Sequence, residues 1–175
     1  AAIPPIPHAP GFYLTTLYGG IQDHVKSTQT DKQLLDTVAG IIPTGANAIP
    51  FVPNNSYGLE FRAGVGFRSD KEEVLHGESM FIISFNSNGG FRRINLSGQA
   101  YMMVTRKDRK KSNVAKVWGG LSFNYAHNNK VFDASIGAEI YVPKAVSGNL
   151  NITLHVGKND WYFWLNRPCR RATLT

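Results

Sequence analysis

The sequence is poor in cysteine, in charge and in long apolar runs. Its 175 residues include a single cysteine, Cys169, which excludes an internal disulfide and a zinc site built from this chain's thiolates alone. Charged residues make up 18%, below the roughly 25% usual for soluble domains. No apolar run approaches the roughly 20 residues that a membrane-spanning helix needs. A disulfide scaffold and a helical membrane protein are therefore not expected.

Glycine and aromatic residues are abundant instead, with 17 Gly, 3 Trp, 7 Tyr and 10 Phe. This composition favours sheet over a coiled coil or a helical bundle. From Tyr57 onward, apolar and polar residues alternate with a period of two, which is typical of strands with one buried face. The alternation covers residues 59–67, 94–104, 117–125, 132–142 and 150–156. The sequence predicts an all-β fold, an antiparallel up-and-down meander of about seven or eight strands that forms a sandwich, a curled sheet or a barrel.

In each of these strands every second residue points to the same face of the sheet, and the set of alternate residues that is apolar is here called the apolar phase. This phase predicts the core. Six residues are expected to share one buried face, because each occupies the apolar phase of its strand: Leu96, Ala100, Leu121, Ile136, Ile140 and Leu154. Two segments, Met80 to Phe85 and Trp161 to Leu165, are apolar in both phases. Strands of that kind are covered on both sides or lie against a partner.

The region before Tyr57 differs in character. Residues 1–10 contain four prolines and predict an extended arm. A short helix is expected at 31–40, with Thr30 or Asp31 as its N-cap and Gly40 as its end. The predicted organisation is a proline-rich arm at 1–10, a single β domain at 11–168 with a helix and loop insertion at 21–55, and a basic tail at 169–175.

The connections between strands alternate in length. Asn88-Gly89-Gly90, residues 127–130 and residues 157–160 are rich in residues that tolerate positive φ, which is the chemistry of tight hairpins. Longer loops are expected at 69–78, 106–113 and 143–149. In an up-and-down meander, alternate connections share an edge. The tight turns should therefore lie on one rim of the sheet and the long loops on the other.

The net charge of +7 is concentrated in two places. Both clusters should lie on the long-loop rim, where they are candidate anion contacts: Arg106, Lys107, Arg109, Lys110, Lys111, Arg167, Arg170 and Arg171. The alternative interpretation is a solvated hairpin tip that aids solubility, which such runs commonly are. An anionic surface or a polyanion is a candidate partner. Nucleic acid is disfavoured, because no aromatic residues are interleaved with the basic run.

No catalytic, metal or cofactor site emerges from the sequence. The five histidines are scattered without ligand spacing, and no nucleophile-elbow motif is present. Residues 70–78 contain four acidic residues without calcium-loop spacing, so a solvated loop is favoured there. We therefore predict a protein that is not an enzyme and that binds no cofactor.

The most distinctive feature is the aromatic run at 161–164. Trp161 and Phe163 are assigned to the core by strand phase, and Tyr162 and Trp164 are left in need of cover. Trp161, Tyr162 and Trp164 are the candidate interface residues. The alternatives are core packing and a lipid-facing belt.

The hairpin that contains this run, Asn149 to Pro168, has a strand, a tight turn, Asp160-Trp161-Tyr162 and a proline six residues later. It resembles hairpins of very large secreted or surface-exposed β-rich proteins of Bacteroidetes-type bacteria. The departure is Asn166-Arg167, where those proteins tend to have glycine and threonine. The resemblance implies secreted or surface placement and no catalytic residues.

Three functions fit these observations. The first is a structural or interaction β-domain of a larger secreted or cell-surface assembly, which binds protein partners or itself. The second is a small outer-membrane β-barrel, because alternating strands with short turns on one rim and longer loops on the other are its signature. The third is a viral or phage coat component. Only the second function involves a membrane.

Overall fold

The computed structural model describes residues 2–9, 11–28, 30–38 and 51–166, which form eleven strands and one helix. The elements in chain order are β1 Ala2–Ala9, β2 Phe12–Gln22, β3 Val25–Ser27, α1 Asp31–Val38, β4 Phe51–Pro53, β5 Tyr57–Ser69, β6 His76–Asn86, β7 Phe91–Met102, β8 Lys116–Ala126, β9 Val131–Val142, β10 Val146–Val156 and β11 Trp161–Leu165.

Nine of the strands form one sheet in the order β1-β2-β5-β6-β7-β8-β9-β10-β11, and every neighbouring pair is antiparallel. The predicted all-β meander with one short N-terminal helix is confirmed. The sheet is not closed, since β1 and β11 are its two edges. β3 and β4, which both lie within the chain segment that joins β2 to β5, pair with each other as a separate two-stranded sheet.

The proline-rich arm contributes the edge strand β1. Its backbone pairs with β2 through Ala2↔Thr16, Ile6↔Leu14 and Ala9↔Phe12, with irregular register between these pairs. Proline cannot donate to a sheet ladder, so a strand that contains Pro4, Pro5 and Pro7 is tolerated at an edge, where one side of the backbone has no partner strand.

The two predicted rims are confirmed for the connections after β5, β6, β7, β8 and β10. The turns after β6, β8 and β10 lie on one rim, here called the tight-turn rim, and Gly89 and Gly90 both have positive φ near 80°. The connections after β5, β7 and β9 lie on the opposite, long-loop rim. The third of these is shorter than predicted, because β10 begins at Val146 and extends the hairpin ladder to Val142.

Helix α1 begins with a reciprocal cap. The Gln33 backbone N–H donates to Thr30 Oγ1 at 3.3 Å, and the Gln33 side chain accepts from the Thr30 backbone N–H at 2.8 Å. The helix places Leu34 and Leu35 against Met80 and Ile82 of β6. This contact explains why β6 is apolar in both phases: one phase is covered by α1.

The predicted core residues share a face, but that face is not buried. Cross-strand pairs such as Phe81↔Leu96, Leu96↔Phe123 and Leu121↔Ile136 align the apolar phases of neighbouring strands. Nevertheless, Leu121 is 42% exposed and Ile136 is 47% exposed. The prediction of a buried apolar face is therefore wrong for the part of the chain that the structure describes, because its single helix covers the opposite face.

Candidate functional site

The first candidate surface is the apolar face, defined as the face of the sheet that carries Leu121 and Ile136. Register places one apolar phase of each strand from β5 to β11 on it. Its exposed large side chains include Leu59, Phe61, Phe81, Leu96, Ile140, Leu150, Val156, Trp161 and Phe163. A continuous exposed apolar surface of this extent marks a site of contact with a partner or a membrane.

No charged residue lies on the apolar face within β5, β6 or β8 to β11, the described strands that form most of it. In β9 the apolar phase runs from Phe132 to Val142. At about 3.4 Å per residue this is roughly 34 Å of strand, and a strand tilted by about 45° projects about 25 Å along the normal. That height matches the apolar band of membrane-spanning strands.

Aromatic side chains line the tight-turn end of the same face. Phe85 and Phe91 pack edge to face with ring centroids 6.3 Å apart, and Phe91 stacks on Tyr125 at 6.1 Å. Register continues the row through Tyr125↔Phe132 and ends at Trp161, which is 75% exposed. Rows of this kind occupy the level of the lipid headgroups in membrane proteins, where amphipathic rings are favoured.

The opposite surface, here called the polar face, carries buried charges. Under α1 and beside it, Arg62 Nε donates to Glu60 Oε1 at 2.7 Å, and Gln22 Nε2 donates to the same oxygen at 2.8 Å. Both Glu60 and Arg62 are buried. A buried carboxylate is stable only when it is paired and hydrogen-bonded, and Glu60 has both kinds of partner.

A second buried ion pair joins the long-loop rim to the sheet. Arg109 Nη1 donates to Glu78 Oε1 at 2.6 Å, Arg109 Nη2 lies 3.6 Å from Asp36 Oδ1, and the guanidinium lies over the Tyr101 ring. Arg109 is only 4% exposed. The interpretation of the basic run as a solvated tip is therefore wrong for this residue.

The rest of the predicted anion contacts are placed as follows. The Arg106 side chain donates to Thr15 Oγ1 at 2.9 Å and to the Phe67 carbonyl at 3.2 Å, and burial lowers the pKa of its guanidinium. Lys107, Lys110 and Lys111 are exposed, and Lys111 Nζ lies 2.6 Å from Asp108. Arg167, Arg170, Arg171 and the basic tail lie outside the described residues.

The predicted interface strand β11 forms one edge of the sheet. Trp161 and Phe163 lie on the apolar face and are exposed, so their assignment to a core is wrong. Tyr162 and Trp164 lie on the polar face, where Tyr162 stacks on His155 at 4.8 Å between ring centroids. The interface role of Trp161, Tyr162 and Trp164 stays a prediction.

The polar face of β7 to β10 forms an open groove of about 990 Å³. Its lining includes Leu35 of α1, Ser97, Tyr101, Arg109, Trp118 and Asn151. Among the described residues, no group of three or more His, Cys, Asp or Glu side chains is placed to hold a metal ion.

No protein-family model, no curated protein and no solved structure matches the chain. The described part of the chain also contains no helix of the length and apolarity required to span a bilayer. The resemblance of the closing hairpin to bacterial surface proteins stays a prediction.

The buried charges of the polar face were not identified from the sequence. Glu60 and Arg62 occupy the polar phase of β5, which the alternation predicts to face water. Glu78 falls within the solvated loop predicted at 69–78, and that prediction is wrong for this residue, because β6 begins at His76 and Glu78 is 0% exposed. The available signal was the presence of both charge signs on the polar phase: Glu60 and Arg62 lie on β5, and Arg93 lies on β7 with its Nη2 4.0 Å from Glu60 Oε2.

Proposed function

We propose that this chain is a membrane-embedded β-sheet protein of the outer-membrane type, with its apolar face against lipid and its polar face lining the interior. One observation carries the proposal: the apolar phase of the sheet is exposed while charged residues of the other phase are buried. Strands of this class alternate apolar-out and polar-in, whereas a water-soluble sandwich buries its apolar phase.

Lipid fits the apolar face better than a protein partner does. Protein interfaces combine an apolar centre with a polar rim and carry roughly one hydrogen bond per 100–200 Å². The apolar face offers few hydrogen-bonding side chains along seven adjacent strands. Ser79 is one of them, and Tyr125 and Trp161 belong to the aromatic row at the tight-turn end. Its height of about 25 Å and its terminal aromatic row are what a bilayer requires.

The proposal requires that both edges of the sheet be paired in the membrane. Unpaired backbone groups cost several kcal/mol each in hydrocarbon, so open sheet edges do not occur in contact with lipid. In the membrane, the outer edges of β1 and β11 must therefore pair, either with each other or with strands of another chain. The aromatic interface predicted at β11 would lie at that junction.

The competing proposal is the interaction domain of a secreted or surface assembly, in which a protein partner covers the apolar face. The coat-component hypothesis requires the same kind of cover. These proposals and the membrane proposal differ in what contacts Leu121, and an experiment at that position separates them.

The test uses two adjacent positions with opposite phases. With Cys169 replaced by serine, a nitroxide is attached at Leu121→Cys on the apolar face or at Ser122→Cys on the polar face, and the protein is reconstituted into phosphatidylcholine vesicles. We expect the label at 121 to be relaxed strongly by oxygen and weakly by a water-soluble nickel chelate, because it contacts acyl chains. The matched label at 122 should be less accessible to oxygen.

A chain that stays monomeric in water without detergent, with the label at 121 accessible to the nickel chelate, would contradict the membrane proposal. A water-soluble oligomer in which neither reagent reaches position 121 would favour the assembly proposal instead.

A further inference from the structure

The groove on the polar face has an aromatic floor. The Trp118 indole lies flat across the sheet: a Cβ placed on Gly120 would be 2.5 Å from Trp118 Cζ2, and one placed on Gly137 would be 2.8 Å from Cη2. Only residues without a side chain leave room for the ring in this position. One face of the indole therefore packs against the two glycines, and Trp118 also lines the groove.

Hydroxyl and amide side chains surround this floor. Ser97 is buried and lines the groove, and its Oγ has no hydrogen-bond partner among the described residues. Ser122, Ser135, Asn149 and Asn151 also line the groove. A buried hydroxyl without a partner destabilises the fold, and a hydrogen-bonding ligand would remove that penalty.

The charges in the groove are already compensated within the chain. Arg109 is held by Glu78 and Asp36, and Lys116 Nζ lies 3.5 Å from Glu139 Oε1. An anionic ligand would have to compete with these carboxylates. The groove therefore suits a neutral ligand.

The position of the groove in the sheet and the side chains that line it indicate the class of ligand. The groove lies in the middle of the sheet, where strand edges are already paired, so it offers a peptide no free strand to extend. It presents a flat aromatic ring together with hydroxyl and amide groups, which suits a ring that has an apolar C–H face and several hydroxyls at its edge. We propose that the groove binds a neutral saccharide, with one sugar ring stacked on Trp118 and its hydroxyls bonded to Ser97 and the asparagine amides.

The fluorescence of Trp118 provides a direct test. In a Trp161→Phe, Trp164→Phe variant, Trp118 is the only tryptophan. This variant is titrated with maltohexaose, cellohexaose or hexagalacturonate in micelles of lauryldimethylamine oxide, a detergent without a sugar headgroup. We expect a saturable change in emission with at least one neutral hexasaccharide and weaker binding of the acidic one. Absence of saturation with both neutral sugars up to about 20 mM, or tighter binding of hexagalacturonate, would overturn the proposal.

Two further variants locate the site by calorimetry. Ser135→Trp fills the groove without altering Trp118 and should weaken binding at least about tenfold, which corresponds to about 1.4 kcal/mol. Trp161→Leu, on the other face of the sheet, should leave the affinity unchanged. Equal affinity of Ser135→Trp and the parent would place any saccharide site elsewhere. Lipid insertion and saccharide binding use opposite faces, so the membrane proposal and this one fail separately.

Discussion

The sheet has two halves that obey the same alternation and differ in what covers them. In the covered half, β5 to β7, the polar face lies under α1 and the long-loop rim. Glu60, Arg62 and Glu78 are buried there, as is the apolar pair Met80 and Ile82. In the open half, β8 to β10, the polar face lines the groove, and its side chains are mostly only partly buried. The apolar face includes well-exposed side chains in both halves.

This difference separates two sources of stability. In the covered half, protein contacts across the polar face can hold the structure, because α1, β6 and Arg109 form a small core of apolar contacts and ion pairs. Among the described residues, no comparable element packs on the polar face of the open half. Strand pairing, together with contacts between its apolar face and the surrounding lipid or partner, must therefore stabilise the open half. Paired substitutions in the two halves can therefore test the comparison.

The largest expected effect comes from breaking the buried ion pair of the covered half. Arg109→Ala leaves Glu78, which is 0% exposed, without its cation, and we expect a loss of about 3–5 kcal/mol in the free energy of unfolding. Lys116→Ala breaks the partly exposed pair with Glu139 in the open half and should cost less than about 1 kcal/mol. Urea unfolding in detergent micelles measures both. Equal losses would mean that the open half is covered as well.

A second pair of substitutions compares one isoleucine in each half of the sheet. Ile82 is buried beneath α1, so Ile82→Ala should cost about 2–5 kcal/mol through lost burial and the cavity left behind. Ile140 lies on the exposed apolar face, and Ile140→Ala should cost only about 0.5 kcal/mol. The same urea unfolding experiment applies. A large loss at Ile140 would indicate a tightly packed protein partner there and would favour the assembly proposal over lipid.

The contrast also shows what the sequence could reveal. A period of two is a local property, so the alternation at 59–67 and 132–142 correctly predicted the strands and which residues share a face. Turn chemistry is local too, and Gly89 and Gly90 adopt the positive φ that their residue type predicts. Which face points away from water is not local, because it depends on where α1 lies and on what surrounds the sheet.

The buried charges illustrate the same limit. Glu78 and Arg109 are 31 positions apart, and Arg109 belongs to a run of five basic residues within six positions. Only the tertiary fold buries the Arg109 guanidinium and leaves Lys107 and Lys110 exposed. The strand β1 was predicted as an arm because its prolines suggest an isolated extended segment, whereas an edge position accommodates them as well.

A smaller effect concerns the floor of the groove. Gly120→Ala places a methyl group against the Trp118 ring and should cost about 1 kcal/mol, because the indole has to shift. Gly119→Ala is the matched control, since no atom lies within 4 Å of a Cβ there. Its unfolding free energy should stay within about 0.5 kcal/mol of the parent. Unchanged Trp118 emission and stability in Gly120→Ala would mean that the ring does not rest on the glycines.

The smallest expected effect is a pH dependence at the long-loop rim. The Asp108 carboxylate accepts hydrogen bonds from Lys111 and from Thr105 Oγ1, and these hold its pKa below the usual range. A carboxyl group with a lowered pKa in the folded state stabilises the fold above its unfolded pKa of about 4, and this stabilisation disappears as the pH falls through the lower folded value. Asp108→Asn should therefore be slightly less stable than the parent at pH 6, and the difference should be smaller at pH 3. Thermal unfolding of both proteins at the two pH values measures it, and high salt should reduce it because the carboxylate is partly exposed. A difference that grows on acidification would show that Asp108 is stabilised in its protonated form.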